Sequence, residues 1–153
     1  MNMRRNDREI TNRNEIDSII ARCKVFRIAL CEEGQPYVLP LNFGYDGKYI
    51  YFHSANDGKK IEIIKQNNRI GFEFDIFHEI TTAETPCKWG TKYESVVGTG
   101  VVESIDSHQE KTSALECILN QYGGSFKEFK DSPLSAVSVF RIRIVSISGK
   151  KKK

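Results

Sequence analysis

The sequence contains no closely spaced pair of cysteines and no long apolar run. No CxxC motif or nearby histidine gives the spacing of a zinc site, so we expect no bound metal. The N-terminus is charged, lacks an apolar signal core, and no segment approaches the ~18 apolar residues of a membrane span. These absences predict a cytoplasmic protein with reduced thiols and no membrane contact. The four cysteines are Cys23, Cys31, Cys87 and Cys117.

A strong excess of one charge is also absent. The 153 residues include 23 basic and 20 acidic side chains, which are interspersed and give a net charge of +3. A dedicated nucleic-acid-binding protein would usually present a more basic face, so no nucleic-acid partner is expected. Residues 1–11 are interpreted as a polar N-terminal arm, and residues 149–153 as a disordered, solvated basic tail.

The length and the aromatic content favour one β-rich domain over residues 1–153. A chain of this size can bury a core without metal or disulfide staples, and nine Phe and six Tyr suit strands. About six strands with short turns and three helices predict a mainly β fold, an antiparallel β-barrel with flanking helices. The predicted strands are Lys24–Cys31, Gln35–Gly44, Tyr49–Ser54, Arg69–Phe77, Thr91–Ile105 and Ser135–Ile147, and the predicted helices follow Asn12, follow Gly58 and span His108–Tyr122.

Two strands carry residues that disturb regular pairing. Pro36 and Pro40 cannot donate to a ladder, so their strand is expected at an edge, at a bulge or with a ligand against its backbone. Gly98 and Gly100 predict a bulge or bend in the long strand Thr91–Ile105.

The stretch Lys48–Asn68 combines a strand, a polar turn and a helix that opens with Lys59 and Lys60. Asn56 or Asp57 is expected to cap this helix. Lysines are poorly placed at a helix N-terminus, which is already positive. They fit there if an anion binds the helix end. The alternative is a solvated pair of charges on an ordinary helix.

Several stretches of the chain, in matching order, resemble the nitroimidazole-resistance (Nim) family. This family is a branch of the flavin-binding split β-barrel proteins related to pyridoxamine 5'-phosphate oxidase. The resemblance implies a six-stranded antiparallel split barrel and a homodimer with FMN, or the larger FAD, in clefts at the dimer interface. It also implies reduction of the nitro group of 5-nitroimidazoles to an amine. The stretches are RRNDREI, PYVLPLNFGYDGKYIYFHSANDGKK, CKWGTKYESVVGTG and SGKKK.

The resemblance also assigns roles to individual residues. His53 matches the active-site histidine, and Lys59 and Lys60 match the segment that holds the ribityl and phosphate groups. No arginine-rich segment for a pyridoxal-phosphate substrate is evident, so vitamin B6 oxidation is not expected. The predicted cofactor-binding residues are Pro40, Leu41, Asn42, Phe52, His53, Ser54, Gly58, Lys59, Lys60, Trp89, Tyr93, Ser95 and Val96.

Alternatives remain open for the residues and for the function. His53, with a reference pKa near ~6.5, suits proton delivery, but it could instead stack between Tyr49 and Tyr51. Cys87 is either a reactive thiol or a passive, partly buried cysteine. The leading hypothesis is a flavin-dependent reductase of a small substrate. The alternatives are a flavin-storage module without turnover and a haem-binding split barrel. The sequence does not identify the substrate or the electron donor.

Overall fold

A computed structural model describes residues 3–125 and 134–153. Within those ranges the chain forms eight strands and three α-helices, and every strand pairing is antiparallel. The elements are β1 (Glu9–Ile10), α1 (Arg13–Arg22), β2 (Phe26–Glu32), β3 (Gln35–Leu41), β4 (Gly44–Tyr45), β5 (Tyr49–Ser54), α2 (Lys59–Gln66), β6 (Arg69–Thr81), β7 (Gly90–Ile105), α3 (His108–Gln121) and β8 (Ser138–Lys152).

The strands lie in the order β3-β2-β6-β7-β8-β5-β4, and β1 pairs with β8. Six strands are six or more residues long, whereas β1 and β4 have two residues each. The predicted mainly β, antiparallel fold with flanking helices is confirmed. The bulge predicted in the long strand is also confirmed, because the register between β7 and β8 shifts between Thr99 and Gly100.

A cluster of phenylalanine rings closes the sheet into a barrel. Phe26 of β2 and Phe52 of β5 come from distant positions in the strand order, yet their ring centroids are 6.2 Å apart. Phe43 and Phe74 pack with them, and all four side chains are fully buried. Burying each ring stabilises the fold by about 1.5–3 kcal/mol. The ring cluster thereby brings β3 and β5 close to one another.

Capping at the helix N-termini agrees with prediction for α1 but not for α2. Asn12 caps α1 by accepting the Asn14 backbone N–H at 2.8 Å. The expected cap of α2 by Asn56 or Asp57 is wrong, since Gly58 holds that position with φ +122° and no side-chain hydrogen bond. Asn56 instead uses its amide to donate to the Ser135 carbonyl and to accept from Ser138.

The prediction of a disordered tail is wrong for residues 149–152, and two residues of the predicted arm, Glu9 and Ile10, form a strand. Ile10 is 4% exposed, and β1 pairs with β8 through Glu9–Lys150 and Ile10–Gly149. Residues 149–152 extend β8 along β7, and Lys151 also binds Glu15 of α1. These strands were not predicted because their side chains are mostly charged. Backbone hydrogen bonds between strands do not depend on side-chain polarity.

Several predicted boundaries also change. The strand predicted for Gln35–Gly44 ends at Leu41, because the next turn sends Phe43 into the core. The strand predicted for Arg69–Phe77 continues to Thr81 after a register shift beyond Phe77. Within the described ranges, no helix has both the length and the apolarity needed to cross a membrane.

Candidate functional site

A cleft of about 420 Å³ lies between the end of β3 and β5. Its volume falls in the range of small-molecule sites, roughly 300–1,000 Å³. The wall is mixed, with apolar side chains, one amide and one imidazole. The lining residues are Val25, Pro40, Leu41, Asn42 and His53. The structure thus brings together four residues that were predicted to bind a cofactor.

Both strands beside this cleft have a backbone edge that is free of strand pairing. β3 pairs only with β2, so Pro36 and Pro40 lie on an edge strand, as predicted. On β5, Phe52–Ser54 pair with β8, but β4 reaches only Ile50 and Tyr51. In the described part of the chain, the other edge of Phe52–Ser54 therefore has no strand partner. A ligand in the cleft can hydrogen-bond to backbone groups there.

His53 points away from the barrel core and into the cleft. Partial burial lowers its pKa, and the nearby Lys60 ammonium lowers that pKa further. Both effects favour the neutral form of the imidazole. Within one chain, Tyr49 and Tyr51 pack on each other with ring centroids 6.1 Å apart.

The start of α2 adds two cations, Lys60 near His53 and Lys59 against the edge strand β3. The Lys59 Nζ lies 4.6 Å from the ring centroid of Tyr37 on β3, which holds the side chain towards the edge strand. Burial lowers the pKa of Lys60. Neither lysine has an acidic partner among the described residues. Because Gly58 provides no side-chain cap, the first N–H groups of α2 are also available to an anion.

The second group of predicted residues lies elsewhere in the chain. Tyr93 and Ser95 are on β7, which is separated from β2 by β6 and from β5 by β8. Two strand spacings amount to about 10 Å. Trp89 is 54% exposed and donates its indole N–H to the Ala83 carbonyl at 2.7 Å. None of these three side chains lines the cleft of its own chain.

Two predicted cofactor residues have side chains that belong to the core. Phe52 and Val96 are both 0% exposed. Any contact that they make with a ligand must therefore use their backbone atoms. Ser54 is half-buried at the end of β5, and Gly58 is the N-cap of α2.

Sequence reasoning missed Val25 and Tyr37. Val25 lines the cleft and is 40% exposed, and Tyr37 positions Lys59. No local motif marks either residue, because each acquires its role from the pairing of β3 with β2. Cys87 is exposed rather than partly buried. No cluster of metal-binding side chains occurs within residues 3–125 and 134–153.

The solved structures that resemble this chain include the following three. A candidate 5-nitroimidazole antibiotic resistance protein from Bacteroides thetaiotaomicron is 30% identical, with a TM-score of 0.78, 93% of this chain and 85% of that chain being covered. A FAD-binding protein from Mesorhizobium loti is 27% identical, with a TM-score of 0.71, and the match covers 95% of this chain and 98% of that chain. A FAD- and haem-binding protein from Mycobacterium smegmatis is 16% identical, with a TM-score of 0.86, and the match covers 95% of this chain and 74% of that chain. The predicted split-barrel fold is confirmed.

A curated relative extends the comparison to sequence. An uncharacterized protein from Rhizobium meliloti is 24% identical over 100 residues, which span 65% of this chain and 59% of that protein's length. The sequence pattern described as pyridoxamine 5'-phosphate oxidase matches residues 12–151. Since that match covers most of the sequence, the chain belongs to the pyridoxamine 5'-phosphate oxidase family.

Proposed function

We propose that this protein is a homodimeric flavoprotein that binds FMN and reduces small substrates such as 5-nitroimidazoles to the amine. The observation that carries the proposal is the pair Lys59 and Lys60 beside a ligand-sized cleft. Lys60 is close enough to His53 to lower its pKa, Lys59 packs on Tyr37 of the edge strand β3, and neither lysine has an acidic partner among the described residues. A bound phosphate would supply the missing negative charge.

The residues of the cleft fit the chemical groups of FMN. The phosphate fits the lysines and the uncapped N–H groups of α2. The flat ring needs an apolar wall and polar backbone partners, which Leu41 and the free edge of Phe52–Ser54 offer. When bound, the flavin supplies the electron-transfer chemistry, and the protein supplies binding and orientation. His53 is placed to donate a hydrogen bond or a proton to a substrate beside the ring.

A second copy of the chain would complete the site. Trp89, Tyr93 and Ser95 lie outside the cleft of their own chain. On the same outer face of β6 and β7, Phe77 is 60% exposed and Val97 is 48% exposed. A protein partner on this face would cover both apolar side chains. A dimer that covers them can present the β7 residues to the cleft of the partner.

The comparisons support this proposal at different levels. The Bacteroides thetaiotaomicron neighbour supports the nitroimidazole substrate, and the Mesorhizobium loti neighbour supports a flavin while leaving FAD as an alternative to FMN. All four cysteines are free, in keeping with a reducing, cytoplasmic location.

Flavin binding is the direct test. The purified protein is expected to be yellow or to take up FMN with micromolar or better affinity by calorimetry. In a Lys59→Gln/Lys60→Gln variant the affinity should fall about 10- to 100-fold, the effect of losing two charge-assisted contacts to phosphate. A Lys48→Gln/Lys65→Gln variant has the same net charge and should bind normally. No uptake by the parent protein would refute the proposal.

Turnover separates a reductase from a flavin-storage module. A reduced nicotinamide dinucleotide and a 5-nitroimidazole are added to the FMN-loaded protein, and loss of donor absorbance is followed. Steady donor consumption with formation of the amine supports the reductase. A flat trace with intact flavin binding favours storage. Full activity in His53→Ala would exclude a catalytic role for that histidine while leaving the cofactor site intact.

A further inference from the structure

Both ends of the described chain meet on one side of the barrel and concentrate positive charge there. The pairing of β1 with β8 brings residues 3–10 next to residues 149–153. These two segments hold seven basic and two acidic side chains, an excess of five positive charges. The whole chain has a net charge of only +3, so the remainder is net negative. The positive charge of this protein is therefore strongly localised.

Strand register places two of these lysines beside the second group of predicted ligand residues. Lys150 lies opposite Ser95, and Lys152 lies opposite Tyr93, across the β7–β8 ladder. Directly opposite residues share a face of the sheet. Lys151 projects to the other face, where it binds Glu15. The outer face thus displays a hydroxyl, a phenol ring and two ammonium groups together.

The two outward lysines differ from their neighbours in having no ion-pair partner among the described residues. Lys151 is paired with Glu15, and Lys92 is paired with Glu79. Glu9 lies across the β1–β8 ladder from Lys150, but these side chains form no ion pair. The Lys152 Nζ lies against Gly90, where an added Cβ would be 2.8 Å away. A glycine at that position leaves room for the ammonium group.

We infer that Lys150, Lys152, Ser95 and Tyr93 form a second phosphate site, which takes the diphosphate of a dinucleotide. This inference rests on the proposed function, in which Lys59 and Lys60 hold the single phosphate of FMN. The Cα atoms of Lys150 and Lys152 are about 7 Å apart along the strand. A diphosphate offers oxygens on two phosphorus atoms, so both ammonium groups and the Ser95 hydroxyl can contact it. The Tyr93 ring offers a surface against which a base can stack.

Two dinucleotides carry this chemistry, FAD and a reduced nicotinamide dinucleotide. Affinities for FMN, FAD, NADH and NADPH are measured by calorimetry on the full chain and on a Lys150→Gln/Lys152→Gln variant. The variant should bind one dinucleotide about tenfold more weakly, as expected for two exposed charge-assisted contacts. Its affinity for FMN should be unchanged. The dinucleotide whose binding falls identifies the source of the diphosphate.

Controls separate this inference from the proposed function and from effects on folding. The Lys48→Gln/Lys65→Gln variant removes the same charge elsewhere and should bind every ligand normally. Circular dichroism should show an unchanged melting transition for both double variants. Unchanged binding of all dinucleotides by Lys150→Gln/Lys152→Gln overturns the inference, as does an equal loss of FMN binding. Inorganic pyrophosphate, used as a competitor of NADH or NADPH, tests these lysines even if the parent protein binds no flavin.

Discussion

At the scale of single residues, the cleft adjoins a positive charge, Lys60, that has no acidic partner among the described residues. His53 and Lys60 both have lowered pKa values because the surrounding protein removes water from them. Lys60 also repels a proton on His53. The two groups therefore share a preference for an anion, which would stabilise the charged form of each.

Removing the Lys60 charge should raise the pKa of His53. In Lys60→Gln the repulsion is lost, while the burial of the imidazole persists, so the pKa should move up but stay at or below about 6.5. Chemical shifts of the histidine ring protons, followed from pH 4 to 9, report this change, and His53→Gln assigns the signal. Lys48→Gln should leave the titration as it is in the parent protein. An unchanged His53 pKa in Lys60→Gln would show that the two groups do not interact.

At the scale of elements, a cluster of three polar side chains, Arg22, Glu94 and His78, links α1 to the sheet. Arg22 of α1 donates two hydrogen bonds of 2.8 Å to Glu94 of β7, and His78 of β6 contacts the same carboxylate. The Arg22 guanidinium is the main cause that lowers the pKa of Glu94 to about 2, and His78 adds to the effect. Glu94 is 16% exposed, but Arg22 is 45% exposed, so solvent screens part of the interaction.

Replacing Glu94 should lower stability in a pH-dependent way. The carboxyl pKa falls from 4.5 in the unfolded chain to about 2 in the folded protein. The stabilisation is therefore fully present above about pH 4.5 and is lost as pH falls towards 2. Glu94→Gln should reduce the free energy of unfolding by about 1–2 kcal/mol at pH 7. Urea titrations at pH 7 and pH 3 should show a difference from the parent protein that shrinks in acid. Glu116→Gln, on the exposed side of α3, is the control and should match the parent at both pH values.

Two glycines in the β6–β7 ladder differ sharply in the space around them. A Cβ added to Gly98 would lie 2.3 Å from a ring carbon of Phe72 and 2.3 Å from the Ser146 carbonyl oxygen. A Cβ added to Gly71 would meet only ordinary contacts at 3.7 Å. Gly98 therefore lets β7 and β8 pass close to the aromatic core.

Alanine at these two positions should have opposite consequences. Gly98→Ala should lower the free energy of unfolding by about 1–3 kcal/mol, because neither a buried ring nor a backbone carbonyl can move cheaply. Gly71→Ala should be neutral or slightly stabilising, since alanine restricts the unfolded chain more than glycine does. Thermal and urea unfolding experiments measure the stability of both variants. Equal stability of the two variants would contradict the close packing at Gly98.

At the scale of the whole molecule, the proposed dimer would bring the β7 residues predicted to bind a ligand to the cleft of a second copy. Val97 lies outward on β7, opposite Glu73 and Ser148, and is exposed on the same face of the sheet as Phe77. Val145 is 62% exposed but lies near Lys48, away from this face. Substitutions at Val97 and Val145 therefore give a matched test of the proposed interface.

A charge at Val97 should dissociate the dimer. In Val97→Lys a buried ammonium group would oppose association, so sedimentation should show a shift from dimer towards monomer. Flavin affinity should fall at the same time, because the partner no longer contributes its β7 residues. Val145→Lys should remain dimeric and bind flavin normally. A monomeric parent protein that binds FMN fully would refute the composite site.

Local sequence patterns predicted much of the fold, and four of the residues predicted to bind a cofactor line one cleft. The alternation of Ile50 and Phe52 with His53 is confirmed by burial of the first two and exposure of the third. The apolar stripe of α1 is confirmed in the same way. The role of Val25 and the strand formed by Lys150–Lys152 were not predictable, because neither residue type nor local spacing distinguishes them from loop and tail residues.

The sequence by itself determined which residues face the core, where helices α1 and α3 begin, and that two lysines follow the His53 strand. These features depend on periodicity and capping, which act over a few neighbouring residues. Only the tertiary structure decided that β3 and β5 border one cleft and that Tyr93 and Ser95 lie outside it. Those relations depend on which strands pair across long separations in sequence, and no short window of residues contains that information.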